Sequence, residues 1–491
     1  MNTTYFVFAY RLMSSIHEDI SSFFAGKEKV LLNFDNYHSI FLEYSAGFGA
    51  GGWTMYILFI LLVFGLAGSA IAFFFFTLRR FVLRVIPKKA GIVQAEEEIE
   101  SLKMALYKSE KQKEVLLEGN KGSSFSSAAL ASSQSRFPRL KQLDIRYSDQ
   151  KPCEVAEYTD LHLLAKGFRN YAAHKFHLYY SEEIVRQFLS SLASSKLLVL
   201  EGISGTGKTS LPYAFGEYVG GHPNICSVQS SWHEKSDFVG YYNDFTTKFT
   251  ETEALVSIYQ ALYEQTPSII VLDEMNIARV EYYFAEILSL LENPSSEDKE
   301  IQLVAQPQED DPKLLHNGKL KLADGLFFVG TINNDDSTFA LADKVYDRAM
   351  TVSLQERGVP FECEETEKAP LAATALNMAF AKAVEDHPIP QKTEESLQNL
   401  VQFLYDEYDV SIGNRLQRQW SLYLPCYIAC GGETNEAVDS FLVNKLPRKL
   451  TNSINRGHGR SLQPLLDFLN GAFGQGALPM TSQKIHSIEA R

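Results

Sequence analysis

Residues of the kind that bind phosphate groups lie near the middle of the sequence. Positions 202–209 read GISGTGKT, which fits the pattern G-x-x-x-x-G-K-[ST] and follows the apolar run 197–200. Glycines let such a loop turn tightly and bring its backbone N–H groups onto phosphate oxygens. A chance glycine-rich turn is the alternative, but a strand-like run before it and a helical stretch after it argue against that. The residues expected to bind a nucleoside triphosphate are Gly202, Ser204, Gly205, Thr206, Gly207, Lys208 and Thr209.

Two side chains of this loop have separate expected roles. The Lys208 amine would reach the β- and γ-phosphates, and the Thr209 hydroxyl would coordinate Mg²⁺. The helix that is predicted to begin at the loop adds the positive end of its dipole. The sequence therefore predicts that the loop binds ATP, or alternatively GTP, together with Mg²⁺.

An acidic pair follows a second apolar run. Positions 269–272 read IIVL and lead into Asp273 and Glu274. Open parallel sheets bind their ligands beyond the carboxyl ends of the strands, so both carboxylates are expected beside the phosphate loop. Asp273 is predicted to hold hydrated Mg²⁺, and Glu274 to orient and polarise the attacking water. The pair therefore predicts hydrolysis of the bound nucleotide.

A third strand and an arginine extend the candidate site. The apolar run 326–330 leads into Asn333, whose amide is predicted to lie beside the two acids and to fix the water or the γ-phosphate. Farther along, Arg348 follows Asp347 and suits contact with the nucleotide of a neighbouring subunit. The alternative for Arg348 is a surface ion pair.

Composition bounds the size and class of the protein. Its 491 residues are 45% hydrophobic, which allows two or three folded units with substantial cores. The net charge of −14 argues against nucleic-acid binding through the overall surface, because such affinity comes from clustered Lys and Arg. The five cysteines form no C-x-x-C pair, so neither a zinc site nor a disulfide framework is predicted.

An uncharged apolar stretch near the N-terminus is typical of a membrane span. Residues 53–77 would form a helix of about 37 Å at roughly 1.5 Å per residue, enough for a hydrocarbon core of about 30 Å. The stretch lies too far from the first residue for a cleaved signal peptide. Five Lys and Arg follow within 79–89, whereas 1–52 carries more acids than bases, so the C-terminal bulk is predicted to be cytoplasmic. We therefore predict a single-pass protein of the inner membrane with its N-terminus outside.

Four segments of the chain resemble one family of motor proteins. GISGTGKT, SWHEKSDFVGYYN, VLDEMNIARVEYYFAEILSLLE and GTINNDDSTFALADKVYDRA, in this order, are similar to the AAA+ ATPases of the McrB type, the motor subunits of modification-dependent restriction systems. The likeness covers about residues 180–450. It implies that Asn333 is the sensor-1 asparagine, Arg348 the arginine finger and Arg415 a candidate nucleotide-binding sensor-2 residue. The alternative for Arg415 is a charge on a solvated helix face.

The resemblance and the hydrophobic pattern together predict the order of the units. N-terminal to the motor we expect an extracytoplasmic segment (1–52), a transmembrane helix (53–78), a basic juxtamembrane segment with a coiled coil or a solvated helical stalk (79–120), and a serine-rich linker (121–150). An AAA+ α/β domain (151–370), a helical lid (371–450) and a helical C-terminal tail (451–491) follow. The predicted fold class is thus α/β, a P-loop NTPase domain with a helical lid.

The resemblance also implies a biological role. A ring-shaped motor is expected, with six subunits, which works in phage defence with a McrC-like nuclease or another effector. In the McrB type a DNA-reading domain usually stands where this chain has its apolar stretch and stalk, so direct nucleic-acid binding by this chain is not expected. Two alternatives stay open: a MoxR-like chaperone that remodels a protein partner, and a nucleotide-gated membrane scaffold with negligible turnover.

Overall fold

The computed structural model describes residues 3–24, 34–47, 50, 53–54, 56–58, 135–148, 154–293, 299–333, 338–455 and 461–489. The chain divides into two compact units, 1–123 and 124–491. Most of the predicted membrane span (53–78), the whole juxtamembrane segment (79–120) and the first part of the predicted linker lie outside the described residues. Among the helices that are described, none is long and apolar enough to cross a membrane.

Two helices dominate the described part of the first unit, α1 (Thr3–Phe24) and α2 (Phe34–Ser45). Phe8 of α1 and Ile40 of α2 are buried in a small apolar cluster. The ring of Phe41 stacks on Tyr56 with centroids 4.9 Å apart. The described residues of the predicted extracytoplasmic segment are therefore largely helical and share an apolar contact.

The described part of the second unit contains ten strands in three sheets. They are β1 (Leu197–Gly202), β2 (Asn224–Ser227), β3 (Gly240–Asn243), β4 (Lys248–Glu251), β5 (Ser268–Asp273), β6 (Glu300–Gln302), β7 (Leu315–His316), β8 (Lys319–Lys321), β9 (Leu326–Ile332) and β10 (Met350–Leu354). Five of them form a parallel sheet in the order β10-β1-β9-β5-β2. β3 and β4 form a hairpin, and β6, β8 and β7 form a small antiparallel sheet.

The parallel sheet is apolar on both faces because helices cover both of them. Leu198 and Leu200 of β1 belong to one core, and Leu197 and Val199 belong to the other, as the two-residue period of a strand requires. β9 is buried at every residue. This sheet confirms the predicted α/β class.

Nine helices lie before, between and beside these strands in the described chain. They are α3 (Pro138–Ser148), α4 (Leu161–Phe176), α5 (Glu182–Ser194), α6 (Ser210–Tyr218), α7 (Lys235–Val239), α8 (Glu253–Gln260), α9 (Val280–Tyr283), α10 (Ala285–Glu292) and α11 (Asp343–Tyr346). Six more follow the last strand: α12 (Ala373–Asp386), α13 (Gln391–Tyr408), α14 (Asn414–Ala429), α15 (Thr434–Asn455), α16 (Gln463–Phe473) and α17 (Pro479–Glu489). We call α12 to α17 the helical domain.

The helical domain differs from the predicted lid followed by a separate tail. Leu465 and Leu469 of α16 and Ile485 of α17 are buried in the same apolar core as the helices before them. α15 also runs through the predicted boundary at residue 450. Contacts between helices distant in sequence join these segments, and such contacts leave no local pattern that a sequence could show.

The folded unit also begins earlier than predicted. Phe137 and Leu140, at the start of α3, are buried in the core on one face of the sheet. Arg136 binds Asp311 through two hydrogen bonds of 2.7 Å each. Residues 135–148 therefore belong to the folded unit rather than to the predicted linker (121–150), because their apolar side chains pack into the core on that face of the sheet.

Candidate active site

The candidate site lies where β1, β9 and β5 end. β9 lies between the other two strands and runs parallel to both, with Leu200 opposite Thr331 and Val271 opposite Val329. Parallel neighbours end at the same edge of a sheet, so the segments that follow them meet there. The topology therefore brings the phosphate loop, the acidic pair and Asn333 together.

Three glycines give the phosphate loop its shape. Gly202, Gly205 and Gly207 have φ values of 152°, 80° and 87°, a region that residues with a Cβ avoid. A Cβ on Gly202 would lie 2.0 Å from the Leu354 carbonyl oxygen, so the loop passes β10 too closely for any other residue. The glycine spacing of the motif thus reflects both backbone conformation and contact with the neighbouring strand.

Lys208 points back into the loop that carries it. Its Nζ donates to the carbonyl oxygens of Gly202 at 3.0 Å and Ile203 at 2.6 Å. Burial lowers the pKa of the Lys208 amine, and the carboxylates of Asp273 and Glu274 oppose that effect. A cation held inside a ring of backbone groups is suited to bind the phosphate chain of a nucleotide.

Thr209 and Asp273 form the oxygen pair expected of a magnesium site. The Thr209 hydroxyl donates to Oδ1 of Asp273 at 2.6 Å. Mg²⁺ is usually bound by one or two protein oxygens together with phosphate oxygens and water, so a hydroxyl and a carboxylate in contact fit this ion. The structure therefore brings together the two residues that the sequence assigned to the metal.

Glu274 has an unusual backbone conformation. Its φ of 53° and ψ of 46° are left-handed, which costs a residue with a Cβ about 1 kcal/mol or more. Its carboxylate accepts a hydrogen bond of 3.3 Å from the Asn333 amide, while the other polar atom of that amide, Oδ1, is buried without a partner among the described residues. Asn333 thus lies beside the acidic pair, as the sequence predicted.

Thr331 is a site residue that the sequence analysis did not single out. Its hydroxyl donates to Oδ1 of Asp273 at 2.8 Å and accepts from the backbone N–H of Glu274 at 2.9 Å. One buried side chain therefore orients the first carboxylate and holds the left-handed turn of the second. A usable signal was present, because Thr331 precedes Asn333 by two residues, and alternate residues of an extended chain point to the same side.

We expect Thr331→Val to slow hydrolysis and to leave nucleotide affinity nearly unchanged. A hydrogen bond to a charged group contributes about 1.5–3 kcal/mol, so the rate should fall roughly 10- to 100-fold. Thr351→Val is the matched control, because Thr351 is also buried, in β10, and its hydroxyl binds only the Asn444 carbonyl oxygen among the described groups. Equal turnover of the two variants in a phosphate-release assay would contradict the role of Thr331.

The segment after β10 adds a second cation near the phosphate loop. Gly202 lies opposite Leu354 in the register, so the chain that leaves β10 passes the loop. Arg357 Nη2 lies 3.4 Å from the position that a Cβ of Gly205 would occupy. No pattern in the sequence connects this arginine to the loop.

Arg348 lies at the opposite end of the sheet from the phosphate loop. Met350, the first residue of β10, is opposite Leu198, and Leu198 is separated from Gly202 by about 13 Å at roughly 3.3 Å per residue. The Arg348 guanidinium pairs with Glu292 at 2.6 Å and donates to the Lys344 carbonyl oxygen at 2.5 Å. Arg348 therefore does not join the site of its own subunit. Its position is compatible with both predicted roles, contact with the nucleotide of a neighbouring subunit and an ion pair.

Arg415 is brought to Arg348 rather than to the phosphate loop. It lies in the first turn of α14, and its guanidinium contacts the same Glu292 carboxylate. Arg415 therefore does not join the phosphate loop of its own chain, because the helical domain packs α14 beside the amino end of β10, and its nucleotide-binding role stays a prediction. Gln419 of the same helix donates to the Arg348 carbonyl oxygen at 3.4 Å.

Two lysines of α15 hold the short segment that carries Arg348. Lys445 donates to the carbonyl oxygens of Tyr346 and Ala349, and Lys449 pairs with Asp347 at 2.9 Å. Burial lowers the pKa of Lys445 to about 7. The position of Arg348 therefore depends on the helical domain as well as on the sheet.

Two solved structures are similar to part of this chain. A candidate ATPase from Cytophaga hutchinsonii is 13% identical, with a TM-score of 0.41, over 71% of this chain and 98% of that one. A full-length MCM homologue from Methanopyrus kandleri is 12% identical, with a TM-score of 0.31, over 62% of each chain. No protein-family model and no curated protein matches the chain. Similarity at this level carries no argument about function, which therefore depends on the site itself.

Proposed function

We propose that this protein is an AAA+ nucleoside triphosphatase of the McrB type that hydrolyses ATP, or GTP, with Mg²⁺. The observation that carries the proposal is the contact network at one sheet edge, in which Thr209 meets Asp273 and Asn333 meets Glu274. The strand order supports it, because the strand of the phosphate loop and the strand of the acidic pair flank the strand of Asn333. The four segments that resemble the McrB type contain all of these residues.

The mechanism follows from where each group lies. Backbone N–H groups of the glycine-rich loop and the Lys208 amine bind the phosphates. Thr209 and Asp273 would hold Mg²⁺, which would supply positive charge against the phosphate oxygens. Glu274 accepts a proton from the attacking water, and the Asn333 amide holds the Glu274 carboxylate in line for that step.

Assembly into a ring, a hexamer in the McrB type, completes the proposed site. Arg348 precedes Met350, the first residue of β10, and the β10 register places Met350 about 13 Å along the sheet from Gly202 at roughly 3.3 Å per residue. Arg348 is therefore too far from the phosphate loop of its own chain and suits contact with the nucleotide of a neighbouring subunit. A guanidinium placed there would stabilise the charge that develops on the γ-phosphate. Self-association is therefore part of the proposed catalytic mechanism.

The cellular setting is proposed from the sequence. The apolar stretch 53–77 and the cations that follow it support a single span of the inner membrane with the motor in the cytoplasm, and the side from which protease cuts the chain in spheroplasts tests that orientation. The McrB resemblance supports a role in phage defence with a McrC-like nuclease or another effector. The product of the adjacent gene separates this role from that of a MoxR-like chaperone, which would act on a protein substrate.

Steady-state phosphate release by the purified full-length protein tests the proposal. We expect turnover with Mg²⁺, in parallel assays with ATP and GTP, and specific activity that rises with protein concentration because neighbouring subunits complete the site. Turnover that is independent of concentration would contradict the shared site. Nucleotide binding without turnover would instead support the nucleotide-gated scaffold.

A further inference from the structure

One carboxylate holds the two arginines that the sequence assigned to nucleotide chemistry. Oε1 of Glu292, the last residue of α10, accepts from Nη2 of Arg348 at 2.6 Å and from Nη2 of Arg415. Arg348 follows α11, just before β10, whereas Arg415 belongs to α14 of the helical domain. Glu292 therefore connects the sheet and the helical domain through a single oxygen atom.

The charges of this cluster explain why Glu292 matters for the position of both arginines. Two guanidinium groups that bind the same oxygen lie close together and repel each other, and the carboxylate between them offsets that repulsion. The cluster keeps a net charge of one positive unit, which favours a further anion. Side-chain exposures of 20% for Arg348, 30% for Glu292 and 46% for Arg415 leave the repulsion only partly screened by water.

The arginine pair still has donors for such an anion. A guanidinium carries five N–H donors, and among the described groups Arg348 uses one on Glu292 and one on the Lys344 carbonyl oxygen. Its Nε is buried without a partner, so the remaining donors that can reach a ligand belong to the two Nη atoms. Planar donors of this kind match phosphate oxygens in geometry and charge.

We propose that Glu292 is a positioning residue that presents Arg348 and Arg415 as a pair to the triphosphate bound by a neighbouring subunit. This inference builds on the proposed function and assigns Glu292 to the side of the subunit interface that supplies the arginines. Because Arg415 belongs to the helical domain, a movement of that domain would change the distance between Arg415 and Arg348, and with it the arrangement of the two guanidinium groups at the neighbouring site.

The first test compares Glu292→Gln with wild type in the full-length protein. We expect about a tenfold loss of turnover with unchanged nucleotide affinity, because the amide keeps the size of the side chain and loses the charge that holds both arginines. Glu292→Asp keeps the charge and should retain most of the turnover. Glu286→Gln is the matched control, since Glu286 belongs to the same helix and pairs with Lys235 at 2.6 Å, and it should behave as wild type.

The second test assigns Glu292 to one side of the interface. Mixed with Lys208→Ala, Glu292→Gln should regain activity, because some interfaces then combine an intact loop with an intact arginine pair. Mixed with Arg348→Ala, it should not regain activity, since both changes damage the same side. Wild-type turnover of Glu292→Gln, or no recovery with Lys208→Ala in mixed rings, would overturn the inference while leaving the proposed function in place. Absence of turnover in the wild type would overturn the proposed function itself.

Discussion

Glu274→Gln should abolish nucleotide hydrolysis and leave nucleotide binding nearly intact. The amide preserves the size of the side chain but cannot accept a proton from water, and loss of a general base slows such reactions by at least about a hundredfold. Binding should persist because Lys208 and the loop, rather than Glu274, are proposed to contact the phosphates. The left-handed turn at Glu274 should persist as well, since Thr331 holds it through the backbone N–H.

Phosphate release and binding of a fluorescent nucleotide measure the two properties separately. Glu253→Gln serves as the control for the loss of one carboxylate, because Glu253 pairs with Arg139 on the surface of α8. That variant should keep wild-type turnover. Turnover of Glu274→Gln at the wild-type rate would remove Glu274 from the catalytic assignment.

Lys208→Ala and Arg348→Ala should each be inactive alone and recover activity when mixed. Lys208→Ala loses the cation of the phosphate loop, so nucleotide affinity should fall along with turnover. Arg348→Ala leaves the loop intact, so it should bind nucleotide normally and lose turnover by about a thousandfold, the lower range for an arginine finger. The two single variants thus differ in binding although both lack hydrolysis.

Mixing distinguishes a shared site from two independent defects. In a ring with head-to-tail interfaces, about a quarter of the interfaces in an equal mixture combine an intact Lys208 with an intact Arg348. Turnover should therefore return to a fraction of the wild-type value. If mixed rings form and turnover stays at the level of either variant alone, Arg348 does not act on a neighbour, and its ion pair with Glu292 would be the remaining explanation.

The sequence alone was sufficient to place the candidate site residues at one edge of the sheet. The phosphate loop is a contiguous segment whose backbone does most of the binding, so its residues are recognisable without knowledge of the fold. Asp273, Glu274 and Asn333 could be placed beside it because each directly follows an apolar strand, and parallel strands end at one edge. Both signals are local in sequence, and the topology that connects them is common to open α/β sheets.

Tertiary structure alone decided which residues support that edge and where the arginines lie. Thr331 resembles any other buried strand residue until Asp273 and the Glu274 backbone are seen on either side of its hydroxyl. Arg348 and Arg415 belong to separate segments, and only the packing of α14 against the amino end of β10 brings both to Glu292. Contacts of this kind depend on how distant segments fold together, and a charge on a helix looks the same in sequence whether it faces water or another charge.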